Sequence, residues 1–168
     1  MSVVATLVLG ADGSSTKNGS SEALSTAEDR ERFLLRRKNF DVLVIGANTA
    51  RNERYLNTPV PLVVISHSRP EILDLNDNAH WFNCTPREGL SKARLQFGDQ
   101  IGIEAGWRMV KELLEDGAID EFELSVSPVT DGENLVDLDY VLRKFDTVSK
   151  FVVNETTFFS CRRYNGHT

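Results

Sequence analysis

The chain has 168 residues, a formal net charge of -6 and a pI near 5.1, an acidic balance that argues against nucleic acid or an anionic membrane as its main partner. Hydrophobic residues make up 40% and charged residues 26%, which suits a single domain over residues 1–168 with a packed core. No apolar run reaches the roughly 20 residues of a membrane-spanning helix, and Cys84 and Cys161 form neither a disulfide framework nor a zinc spacing.

The first segment, "SVVATLVLG" (2–10), is β-branched and apolar and reads as a strand buried on both faces. It carries no basic n-region, so no signal peptide is expected and a reducing, cytoplasmic setting follows. The N-x-[ST] triplets at Asn18, Asn83 and Asn154 are then chance matches. "ADGSSTKNGSSEAL" reads as a long loop. "STAE" (25–28) predicts a capping box, with Ser25 as the cap and Glu28 reaching back. The helix it opens puts Phe33, Leu34, Arg37 and Phe40 on roughly one side.

"DVLVIG" (41–46) is a second buried strand, followed by "ANTARNERYLNTP" as a loop or short helix, then by "PLVVIS" as a third strand. Between His67 and Asp99 the pattern is least readable: "AHWFNC" is a candidate short strand, and "REGLSKARLQ" a helix or a strand and loop. "QIGIEA" is the next strand. "WRMVKELLEDG" is an amphipathic helix stopped by Gly117. "IDEFELSVSP" alternates as a strand does, and "TVSKFVVNETTFFSCRRY" predicts a hairpin turning near Asn154. The order implies an α/β fold with a mostly parallel central sheet and antiparallel C-terminal strands.

Open α/β sheets bind ligands at the carboxyl ends of their strands, and three such ends are unusual here. "GADGSS" holds Asp12. "GANTARNE" combines a small residue with the hydroxyl of Thr49 and the charges of Arg51 and Arg54. "EAGWR" sets Glu104 beside a bare Ala105-Gly106 backbone at a helix start, where free amides and the dipole favour a phosphate. A tight turn needing positive φ is the other reading of Ala-Gly. G-x-G-x-x-G, Walker A, G-x-S-x-G and zinc-deaminase patterns are all absent. His67, His80 and His167 are isolated, and no metal site is expected.

Taken in order, "ADGSS…GSSEALSTAEDRERFLLRRKNFDVLVIGANTARNE" and "IGIEAGWRMVKELLEDGAIDEFELSVSP" resemble the reductase domain of the riboflavin-pathway pyrimidine deaminase-reductases. The resemblance implies a three-layer, dihydrofolate-reductase-like fold and NADPH as hydride donor to a ribosylamino-pyrimidine phosphate, whose sugar becomes a ribityl chain. By motif it places Thr49, Glu53, Ser66, Gly106, Trp107 and Arg108 at the cofactor. Ser21, Arg37 and Glu104 fall on the substrate side. Arg37, with Lys17, would neutralise the phosphate, and Glu104 or Asp12 would handle the proton. A homodimer is also implied, with the "FVV" and "FF" strands as candidate interface unless they are core.

Departures from the family pattern accompany the match. Ser14 stands where a basic residue is usual, and "ERYLNTPVP" replaces a stretch that normally supplies a substrate-side arginine. Arg51 or Arg54 could take its place. Two other readings stay open: a cofactor-binding module of the same fold without catalysis, and a dihydrofolate reductase.

Overall fold

The computed structural model describes residues 2–164. Strand β1 (Ser2–Leu9) lies inside an eight-stranded sheet of order β5-β4-β3-β6-β1-β7-β10-β9. The neighbours are β3 (Val42–Gly46), β4 (Leu62–Ile65), β5 (Ala79–Phe82), β6 (Gln100–Ile103), β7 (Glu121–Val126), β9 (Thr147–Val153) and β10 (Thr156–Arg162). Every pair from β5 to β7 is parallel, and β10 pairs antiparallel with both β7 and β9. The hairpin turns at Asn154, whose φ of 52° suits asparagine in a left-handed turn.

The strands are apolar on both faces because both faces are covered. Side chains alternate between two cores. Val3, Ala5, Val42, Val44, Val63 and Ile65 join the helices α3 (Pro86–Phe97) and α4 (Trp107–Glu115) on one side. Val4, Leu43, Ile45, Leu62 and Val64 pack with Phe40, Tyr55 and Ile72 on the other. A fully buried Leu or Ile such as Leu43 or Ile45 contributes about 1.5–3 kcal/mol by leaving water. This is the mixed α/β architecture expected, with its parallel centre and antiparallel edge.

Details differ from the sequence reading. Thr26, not Ser25, caps α1 (Ala27–Arg37), accepting from the Asp29 amide at 3.3 Å. Ser25 donates to Asp29, and Glu28 accepts from Asn154 instead of closing a box. Of the residues expected on one side of this helix, Arg37 is buried and Leu34 exposed, while Phe40 is buried but lies beyond the helix end at Arg37. A capping box does occur at Thr85 and Glu88, opening α3 in the segment that periodicity left ambiguous. The loop after β1 contains β2 (Ser14–Thr16), paired with β8 (Glu133–Leu135) in a small second sheet. "ANTARN" is the short helix α2 (Ala47–Asn52), and α5 (Leu138–Leu142) precedes the hairpin. Phe158 and Phe159 are core, whereas Phe151, Val152 and Val153 lie exposed on the edge strand β9. No helix of the described residues is long and apolar enough to cross a membrane.

Candidate active site

The carboxyl ends of β1, β3 and β6 open into one cavity of about 670 Å³, floored by sheet residues and walled by α1, α2 and the start of α4. The strand ends converge there because β6 lies between β1 and β3 in parallel register, with Val3 and Val42 both opposite Ile101. Thr49 and Gly106, distant in sequence, share this space. Ser21, Arg37, Glu53, Glu104, Trp107 and Arg108 line it as well.

Glu104 follows the last residue of β6 and is buried, at 7% exposure. Its Oε1 accepts from Arg37 Nε at 3.0 Å, and its Oε2 from Arg37 Nη2 at 2.7 Å. Tyr55 donates its hydroxyl to the same Oε2 at 2.7 Å. Burial works against the Arg37 charge, but the hydrogen bonds and charge of Glu104 outweigh it, so its pKa rises. Burial first, then the Glu104 carboxylate, holds the Tyr55 proton well above the usual value of 10.0. The Arg37 guanidinium also lies between two rings, 4.4 Å from the Phe33 centroid and 4.7 Å from that of Tyr55.

The consequence is that Arg37 is committed within the protein. A buried, bidentate arginine–carboxylate pair flanked by aromatic rings is a fixed unit. Glu104 Oε2 accepts from Arg37 Nη2, Arg37 Nε and the Tyr55 hydroxyl, while Oε1 accepts only from the shared Arg37 Nε and retains accepting capacity. Tyr55 was not anticipated from sequence. It sits in "ERYLNTPVP", read there only as the loss of an arginine; a tyrosine among polar residues after a strand-end loop was the available signal.

At the α4 start, Gly106 has φ -65° and ψ 163°, ordinary for any residue. A Cβ there would meet nothing within 4 Å. Neither a left-handed backbone nor packing within the chain therefore requires glycine, so the tight-turn reading fails. Gly106 supplies no side-chain cap to the first amides of α4, which face the cavity with the dipole behind them.

The remaining sequence candidates fall in two groups. Glu53 stays in the cavity wall but grips Ser21: its Oε1 accepts from the Ser21 amide at 2.7 Å and from the Ser21 hydroxyl at 2.8 Å. This clasp fastens the loop before α1 to the end of α2. Arg54 also reaches the cavity, while Arg51 turns to Asn48 on its own helix. Asp12, Lys17 and Ser66 do not line the cavity. The Asp12 carboxylate shapes a turn, accepting from Ser14 N, Ser14 Oγ and Asp131 N. These bonds, the Ser14 hydroxyl first, hold its pKa below the usual 3.8. Lys17 donates to the Thr130 carbonyl, and Ser66 to the Ser68 carbonyl. His80 packs on Phe97, 4.9 Å between centroids. His67 is exposed, and His167 lies outside the described residues.

A family model described as the RibD C-terminal domain matches residues 1–149. No curated protein matches the chain in sequence. Among solved structures, the chain is similar to a diaminohydroxyphosphoribosylaminopyrimidine deaminase/5-amino-6-(5-phosphoribosylamino)uracil reductase from Thermotoga maritima, at 15% identity and a TM-score of 0.72. That match covers 96% of this chain and 56% of the other, so the chain spans about half the length of the bifunctional protein. A pyrimidine reductase-like protein from Corynebacterium diphtheriae matches at 16% identity and TM-score 0.71, over 96% of this chain and 91% of that one. RibD from Acinetobacter baumannii matches at 17% identity and TM-score 0.67, over 96% and 57%. At these identities the likeness is one of fold.

Proposed function

The chain belongs to the RibD C-terminal domain family, and from that membership we propose that it is an NADPH-dependent reductase of a ribosylamino-pyrimidine phosphate, converting the ribosyl to a ribityl chain. The observation that carries this reading is the single cavity that joins Thr49, Glu104 and an unshielded Gly106. The residues present fit the cofactor. A dinucleotide needs a close backbone approach for its diphosphate and hydroxyl donors along its length. Gly106, the first amides of α4 and the exposed Arg108 supply the first, and Thr49 the second. When bound, NADPH supplies the hydride.

The protein's own part is placement. Glu104, held by Arg37 and Tyr55, accepts a hydrogen bond from an N–H or O–H of the substrate and fixes its orientation. Its two donors, Arg37 and Tyr55, fix the orientation of the carboxylate. The Glu53–Ser21 clasp holds the loop that borders the substrate side. The Glu104 side chain is 2% exposed, so its bonds to Arg37 and Tyr55 are made largely out of water.

The test is direct. Purified protein, NADPH and 5-amino-6-(5-phosphoribosylamino)uracil should show loss of cofactor absorbance and a ribityl product by mass spectrometry. Absence of NADPH binding with cofactor in large excess rules the reading out. Commitment of Arg37 to Glu104 favours a second reading, a cofactor-binding module without turnover; that reading predicts NADPH binding with no product. Self-association belongs to the proposal too: exposed Phe151–Val153 on β9 is the apolar strip a homodimer would cover, and a monomer mass by sedimentation equilibrium at high concentration would count against it.

A further inference from the structure

We propose that Arg30, rather than Arg37, binds the anionic end of the substrate. The inference rests on the reductase reading in one respect, that the substrate carries a sugar phosphate. The cavity contains five arginines, and the structure separates those already committed from those available. Arg37 is paired with Glu104 at 2.7 Å, and Arg36 with Glu123 at 3.3 Å, both in sheltered positions. Arg54 faces Glu22 at 3.9 Å, with side chains 82% and 61% exposed, a pairing of little strength. Arg108 stands at the α4 start, beside the open backbone assigned to the cofactor. Arg30 lines the cavity from α1 and is exposed, and among the described residues no carboxylate pairs with it. Its guanidinium lies 5.9 Å from the centroid of the Phe33 ring.

Position makes Arg30 the choice on the substrate side. Residues 30, 33 and 37 follow the i, i+3, i+7 spacing and share one face of α1. The Phe33 ring lies between the two guanidiniums, 4.4 Å from Arg37 and 5.9 Å from Arg30. Leading away from Glu104, the wall therefore presents a carboxylate, its committed arginine, an aromatic face and then an uncommitted arginine. Seven residues advance about 10 Å along a helix. That is the reach of a ribose phosphate attached to a pyrimidine whose ring edge rests on Glu104. The sugar would lie against Phe33 and the phosphate would meet Arg30, whose planar fork suits two phosphate oxygens.

Ribose 5-phosphate and ribose are the probes, titrated calorimetrically into the wild-type chain, Arg30→Ala and Arg54→Ala. Both side chains are exposed, so both variants should fold as the parent does, checked by circular dichroism. The wild type should prefer ribose 5-phosphate over ribose. Arg30→Ala should weaken ribose 5-phosphate by roughly 10- to 100-fold, while Arg54→Ala changes it by less than about twofold. NADPH affinity, read by fluorescence, should be unchanged in Arg30→Ala. Equal binding of the two sugars by the wild type, or ribose 5-phosphate binding undiminished in Arg30→Ala, overturns the assignment. Failure of the wild type to bind NADPH bears on the reductase reading instead, since the sugar titration decides Arg30 without cofactor.

Discussion

Replacing Arg37 with methionine tests the central electrostatic unit. The substitution keeps an apolar stem between Phe33 and Tyr55 but removes every donor that Arg37 gives Glu104. A carboxylate with a side chain 2% exposed would then hold only the Tyr55 hydrogen bond. Removing one partner of a buried ion pair costs about 3–5 kcal/mol, because the other charge is left without compensation. For a domain of this size each kcal/mol moves the melting temperature by about 2–4 °C, so a fall of about 6–20 °C is expected. Tyr55→Phe removes one hydrogen bond to a charged group and should cost less, about 1.5–3 kcal/mol. The double variant Arg37→Met/Glu104→Gln should recover at least half of the loss, since no charge remains buried alone. Urea unfolding of the wild type, Arg37→Met, Glu104→Gln and the double variant measures the coupling. If Arg37→Met loses under about 1 kcal/mol, or if the two substitutions simply add, Arg37 and Glu104 do not form a fixed unit.

Gly106→Asp should leave thermal stability equal or raised, because the position has ordinary φ, open space and a helix start that favours a carboxylate; the same carboxylate should abolish NADPH binding by fluorescence, and retained affinity would move the diphosphate elsewhere. Glu53→Ala releases both bonds to Ser21, so amide exchange at Ser21 should quicken by roughly tenfold or more; unchanged exchange would show that the loop is held by other contacts. Burial pushes the Cys161 thiol up to about 11, and its side chain is fully covered. At neutral pH a thiol reagent should therefore label Cys84 in the native protein and Cys161 only after unfolding. The raised Tyr55 pKa contributes stability that is complete below the usual 10.0 and is lost as pH climbs toward the higher folded value; above pH 10.0 the wild type should lose stability faster than Tyr55→Phe, and parallel curves would contradict this.

Local chemistry made much of the fold legible. Unbroken apolar runs such as "VLVIG" and "LVVI" declared buried strands, and the alternation of Val42 and Val44 with Leu43 and Ile45 across two cores is the physical content of that signal. The α4 amphipathy and its stop at Gly117, with φ 67°, were equally local. Cap choice was less so: Thr26 and Ser25 are both competent caps, and only the path of the chain decided which amide each could reach.

The amino-acid order alone determined the central strands, α1 and α4, and that Thr49, Glu104 and Gly106 stand at strand ends, because those properties depend on neighbours within a few residues. Tertiary structure decided which strand ends meet, that Arg37 finds a partner 67 residues away in Glu104, and that Tyr55 completes it from 49 residues away. It also turned Asp12 to a surface turn and left Arg30 uncommitted beside Phe33. Charges pair through space according to the register of parallel strands, and no local pattern reveals which arginine a buried carboxylate will claim.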